Sequence, residues 1–151
     1  MDIRIPLNME SDIIIARQKG RELAERLGFG VADQTRLATG ISELTRNVIN
    51  YAKKGLCVIT DASDEQAMRV RVSVEDHGPG IPDIAAAMKD GFSTVRSLGM
   101  GLPGTRRLVH DFDISSKPGH TKVVISIFRP RPAVAVAGVK SAASRLWAPR
   151  K

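Results

Sequence analysis

A chain of 151 residues, 42% of them hydrophobic, has the length of one domain and enough apolar side chains for its own core. Its single cysteine, Cys57, excludes an intramolecular disulfide, no run approaches the roughly 18 apolar residues of a membrane span, and MDIRIPLNMES has no secretory signal pattern, so a cytoplasmic protein is expected. The net charge of +7 does not point to nucleic acid, because six of the 23 Lys and Arg (Arg129, Arg131, Lys140, Arg145, Arg150 and Lys151) follow residue 128, where no acid occurs, and the other 17 face 16 acids.

In chain order, residues 3–7 (IRIPL) alternate like a short strand, at a sheet edge because Pro6 cannot donate to a ladder. Ser11 is a candidate N-cap for a helix over 12–27, with Ile15, Leu23 and Leu27 as its apolar positions and Gly28 and Gly30 as its stop. Asp33 is the expected cap of a second helix, in which Leu37, Ile41, Leu44 and Val48 recur on one stripe. Residues 56–60 read as a strand around Cys57, whose surroundings mark it as a small core residue. Residues 68–76 (MRVRVSVED) alternate strictly and form a hairpin with it. A glycine-rich stretch, a short helix over 83–88, a polar loop over 89–98 and a helix from about Leu102 to His110 follow, and strands over 111–116 and 121–128 close the domain. The order implies an α+β two-layer sandwich, with a mixed or antiparallel sheet and helices on one face. From residue 129 the composition turns to Ala, Val, Pro and Arg, so the domain is assigned to 1–128 and a flexible basic extension to 129–151.

Three clusters carry candidate chemistry. Asp76 shares the inward side of its strand with Val70, Val72 and Val74. A carboxylate there either leaves the register at the strand end or accepts hydrogen bonds from a specific donor, such as a ligand amino group. Gly78 and Gly80 in DHGPGIP suit a plain turn or a close ligand approach equally. Glu43 and Asn47 lie four apart on one face of the second helix, off its apolar stripe. The ordinary reading is a solvated face; the chemical one is a carboxylate that takes a proton beside an amide that ligates Mg²⁺. Gly99, Gly101 and Gly104 satisfy GxGxxG, but no buried strand precedes them, which argues against a dinucleotide fold. What remains is a glycine-rich entry to a helix N-terminus, suited to phosphate. No GxxxxGK[ST] loop, protein-kinase signature or metal cluster is present, and His77, His110 and His120 are scattered.

Taken together, the helix Glu/Asn pair, DxGxG, loop and GLPG, in that order, resemble the N, G1 and G2 boxes of the GHKL (Bergerat-fold) superfamily. GRELAERLGFGVADQTRLATGISELTRN, EDHGPGIPD, DGFST and LGMGLPGTRRL are similar to the RsbT group of switch kinases, over nearly all of residues 10–128. The resemblance implies that Glu43 is the catalytic carboxylate, Asn47 the Mg²⁺ ligand and Asp76 the acceptor of the adenine amino group. It implies that Gly78 and Gly80 lie under the adenine, residues 89–98 form a lid, Gly99, Gly101, Leu102 and Gly104 surround the phosphates, and Ile81 and Met100 also belong to the nucleotide-binding set. Thr121 is implied near the adenine, although Gly-His-Thr replaces the usual Gly-x-Gly-Thr. The activity implied is ATP-dependent phosphorylation of serine or threonine on a STAS-domain antagonist or scaffold, with binding to a PP2C-type phosphatase as a second output. No histidine-bearing helix precedes the domain and no transducer domain has room, which argues against histidine kinases and DNA-remodelling ATPases. The alternative is an anti-sigma factor of the RsbW/SpoIIAB type, which shares the boxes and sequesters a sigma factor; GFST and GLPG favour the kinase.

Overall fold

The computed structural model describes residues 2–81, 88 and 101–131. Its core is built where the apolar periods predict. Leu37, Ile41, Leu44 and Val48 are all buried, and they pack on Val70, Val72 and Val74 and on Val123, Ile125 and Ile127. Each such side chain contributes about 1.5–3 kcal/mol on leaving water. The chain runs β1 (Asp2–Leu7), α1 (Glu10–Arg26), α2 (Val31–Asn47), a π-helical turn (Val48–Ala52), β2 (Gly55–Asp61), β3 (Ala67–Asp76), α3 (Gly101–Leu108), β4 (Asp111–Lys117) and β5 (His120–Pro130). The expected helix over 83–88 and loop over 89–98 fall outside the described residues, apart from Met88, as does the extension from residue 132.

The sheet has the order β1-β2-β3-β5-β4, and all four pairings are antiparallel, so the mixed alternative is set aside. The physical reason lies in the crossover from β3 through α3. It lays β4 in the same direction as β3 but two places away, and β5 fills the gap antiparallel to both. Pro6 sits on the edge strand, as expected of a residue without an N–H.

Both helix starts differ from the sequence expectation. α1 begins at Glu10 with Met9 as N-cap, not Ser11, because Asp12 reaches back and accepts hydrogen bonds from the N–H groups of Asn8 (2.8 Å) and Met9 (3.1 Å). Its inward face is Ile13, Ala16, Gly20, Leu23 and Ala24, while Ile15 is 44% exposed. Gly20 lies so close to α2 that a Cβ there would run into Ile41. α2 is capped by Gly30, and Asp33 sits inside its first turn, paired with Arg36 at 2.9 Å.

At the other end, the helical path continues past the last residue of α2, Asn47. The chain widens into the π-helical turn, where Lys53 N–H donates to the Val48 carbonyl at 2.8 Å and Lys53 takes φ +75°. β5 also runs two residues past position 128: Arg129 opposes Met68 and Pro130 opposes Ala67. Arg131 then ties to the β2–β3 turn, donating from its backbone N–H to the Gln66 carbonyl (2.9 Å) and from Nε to the Asp64 carbonyl (2.8 Å).

Candidate nucleotide site

Register brings Asp76 into a corner. In β3 it opposes Gly55 of β2 on one side and Thr121 of β5 on the other, on the helix-covered face it shares with Val70, Val72 and Val74. Gly55 offers no side chain, and a Cβ there would meet the Glu75 carbonyl oxygen at 2.5 Å and Val48 at 2.7 Å. Asp76 is half-buried rather than enclosed. Its Oδ1 accepts the Gly78 N–H at 2.9 Å, while Oδ2 accepts no hydrogen bond among the described residues. The awkward inward carboxylate is therefore partly satisfied by its own turn, and one acceptor oxygen remains for a donor from outside the chain.

The turn after Asp76 is fixed from both sides. A Cβ on Gly78 would lie 2.6 Å from that of Ala52, at the end of the π-helical turn. Gly80 has φ +86°, and a Cβ there would meet the Lys117 carbonyl at 2.6 Å. The Gly78 carbonyl accepts the Gly119 N–H at 2.9 Å, so the turn is stitched to the β4–β5 hairpin. Ser116 completes the seam: its Oγ accepts the Ile81 N–H at 2.8 Å and lies 2.6 Å from Thr121 Oγ1. Thr121 is buried, so this hydroxyl pair and Asp76 form one polar rim at the end of an otherwise apolar sheet face.

The second cluster is set by α2 and α3. Glu43 is only 7% exposed, which overturns the solvated-face reading. Its Oε1 accepts the Gly101 N–H, the first of α3, at 3.3 Å, and its Oε2 accepts Arg46 Nη1 at 3.0 Å. A buried carboxylate costs several kcal/mol unless it is paired in this way. Gly101, Leu102 and Gly104 are buried in α3 against α2, where a Cβ on Gly40 would touch Thr105. Thr105 Oγ1 donates to the Gly101 carbonyl at 2.9 Å. Asn47 closes α2 one turn beyond Glu43, half-buried, and its amide makes no hydrogen bond among the described residues. The π-helical turn that follows packs on Gly55 and Gly78 and so joins this cluster to the Asp76 corner.

Glu43, Asn47, Asp76, Gly78, Gly80, Ile81, Gly101, Leu102, Gly104 and Thr121 thus line one end of the sandwich; Gly99 and Met100 lie outside the described residues. Two participants were missed, Arg46 and Ser116. Ser116 had a signal, since it follows Phe112 and Ile114 on the inward face of β4 as Asp76 follows Val74 on β3. Arg46 had none, because an arginine at a helix end is ordinarily a surface residue.

The histidines keep structural roles. His120 Nε2 lies 2.5 Å from Glu75 Oε2, His77 Nδ1 is 3.1 Å from the Gly119 carbonyl, and His110 Nδ1 accepts the Phe128 N–H at 3.1 Å. Glu75 is held below the usual carboxylate range, first by the His120 hydrogen bond and then by the charges of His120, Lys122 and His77. No three metal-ligating side chains gather among the described residues. No helix there is long and apolar enough to cross a membrane.

A family model described as histidine kinase-, DNA gyrase B- and HSP90-like ATPase matches residues 32–132, a span that holds every element of this site. The chain belongs to that ATPase family. It is 50% identical over 110 residues to the serine/threonine-protein kinase RsbT of Bacillus subtilis (strain 168), a match covering 73% of this chain and 83% of that one. Within the ATPase family, the chain is a serine/threonine protein kinase of the RsbT type. Its fold is also that of a structure containing the RsbU and RsbW domains of Rv1364c from Mycobacterium tuberculosis, with TM-score 0.62 and 21% identity over 88% of this chain. The chain spans 34% of that longer protein, and the likeness bears on the fold alone.

A member of this ATPase family uses ATP, and the residues present suit it. Among the described residues Asp76 has an unfilled acceptor beside a glycine-lined turn, and the first N–H of α3 already holds an anion, the Glu43 carboxylate.

Proposed function

We propose that this protein phosphorylates a serine or threonine of STAS-domain partners in a bacterial partner-switching stress response, with binding to a PP2C-type phosphatase as a second output. The observation that carries the site assignment is Glu43: a buried carboxylate, one helical turn from Asn47 and in contact with the α3 N-terminus. A carboxylate kept out of solvent beside an anion-binding helix end is suited to receive a proton from an incoming hydroxyl.

ATP supplies the phosphoryl group when bound, with Mg²⁺ to neutralise its charge. Asp76 would accept the adenine amino group through Oδ2, with Gly78, Gly80 and Ile81 beneath the ring and Thr121 steadied by Ser116. Asn47 would give its amide oxygen to the metal. Gly101, Leu102 and Gly104, with Gly99 and Met100 preceding them, would present backbone N–H groups and the positive end of α3 to the phosphates. Glu43 would take the acceptor's proton.

The alternative, an anti-sigma factor, is less well supported. Half of the aligned residues are identical to a protein named as a serine/threonine kinase, against 21% to a structure that includes an RsbW domain. The deciding experiment is incubation with labelled ATP and the STAS proteins of the same genome, with the labelled residue mapped. Label on a STAS serine or threonine supports the kinase reading; no transfer, with tight co-purification of a sigma factor, refutes it.

A further inference from the structure

Glu43 is placed against the two groups that a phosphate would seek. One oxygen holds the first N–H of α3 and the other holds the Arg46 guanidinium, so a single carboxylate bridges a helix N-terminus and a cation. That is the binding pattern of an anion. It also fixes the orientation of Glu43, since one lone pair of each oxygen is engaged by these two donors. Arg46 has the freedom to leave: its side chain is 36% exposed against 10% for Glu43, and Glu43 is the one acceptor for it among the described residues. Arg46 immediately precedes Asn47 on the last turn of α2, so a small side-chain movement keeps it within the same cluster.

We propose that Arg46 is a positioning residue for phosphoryl transfer. The ion pair with Arg46 pins Glu43 against the α3 N-terminus; when phosphates take that N-terminus, Arg46 turns to them and Glu43 is released toward the acceptor hydroxyl. Glu43 is then an internal competitor of the nucleotide, and binding and activation are one exchange of anions. This rests on the proposed placement of ATP and on Glu43 as the proton acceptor.

The test is a double-mutant cycle read by calorimetry with ATP and Mg²⁺, using Glu43→Gln, Arg46→Gln and the pair. Neutralising the competitor should tighten ATP in the Arg46 background by about ten-fold, the equivalent of one charge-assisted hydrogen bond, and by much less when Arg46 is already Gln. Arg46→Gln alone should weaken ATP and Arg46→Lys should restore part of the loss, with thermal denaturation confirming that both variants fold. Equal effects of Glu43→Gln in the two backgrounds, or none in either, overturn the exchange. Failure of the unaltered protein to bind ATP refutes the underlying placement instead. ATP binding with full phosphate transfer by Glu43→Gln removes Glu43 as proton acceptor, while the affinity cycle still decides the exchange.

Discussion

Asp76 and Thr121 oppose each other on the last rung between β3 and β5, with Gly55 on the far side of Asp76. Oδ1 of Asp76 holds the Gly78 N–H, and Oδ2 is the acceptor left open among the described residues. Asp76→Asn preserves size but turns that acceptor into an amide, and an amide oriented to keep the Gly78 contact would present its N–H₂ there. ATP and ADP affinities should both fall by about ten- to hundred-fold, with little change in melting temperature. Calorimetry decides; unaltered affinity for both nucleotides would remove Asp76 from the adenine site.

Glu43→Gln should keep nucleotide and lose phosphate transfer. The expected loss is about 10²- to 10⁴-fold in single-turnover rate, the range for removal of a positioned proton acceptor. Because the rate is read at saturating ATP, a change in affinity does not obscure it. Transfer at the normal rate would show that Glu43 serves only to cap α3.

Gly80 combines φ +86° with a carbonyl where its Cβ would stand. Gly80→Ala should cost about 1–3 kcal/mol of stability from the backbone conformation and displacement of Lys117. Urea denaturation measures it. Because this turn is stitched to the β4–β5 hairpin, nucleotide affinity should fall as well, and a neutral result in both assays would contradict the geometry.

Glu75 predicts an acid limb of stability. Its folded-state pKa lies below the usual 4.5, so its contribution is complete above that pH and is lost as pH falls through the folded value. Glu75→Gln should therefore be less stable than the parent at neutral pH, and the two curves should converge below pH 4.5. Parallel curves throughout would show that the His120 contact carries no such linkage.

Cys57 is fully buried in β2, and burial pushes its thiol up to about 12. At neutral pH only about one molecule in 10⁵ would carry a thiolate, and none of it is accessible. The native protein should resist thiol reagents for hours and label at the rate at which it unfolds. Rapid labelling of folded material would place Cys57 at the surface.

Much of this architecture was legible in the residues, and the misses share a cause. The α2 stripe and the alternation of β3 report burial directly, because one helix stripe and one strand side must leave water together. Helix starts were misread because Ser11 and Asp33 are good caps in isolation, while the actual starts are set by Asp12 reaching backward and by Gly30. Glu43 was read from its spacing, but its burial depends on α3, 58 residues away in sequence. The π-helical turn left no trace in composition, since VINYA would continue an ordinary helix equally well.

The placement of β5 between β3 and β4 also governs the order of events during synthesis. Until residues 120–130 emerge from the ribosome, β3 exposes an unpaired hydrogen-bonding edge, an invitation to neighbouring nascent chains. Glu43 and Asp76 have been made by then, but Thr121 has not. A chain stalled before residue 120 is left with half a binding pocket and an adhesive flank, so quality control would meet it as a candidate for aggregation rather than as a weak kinase.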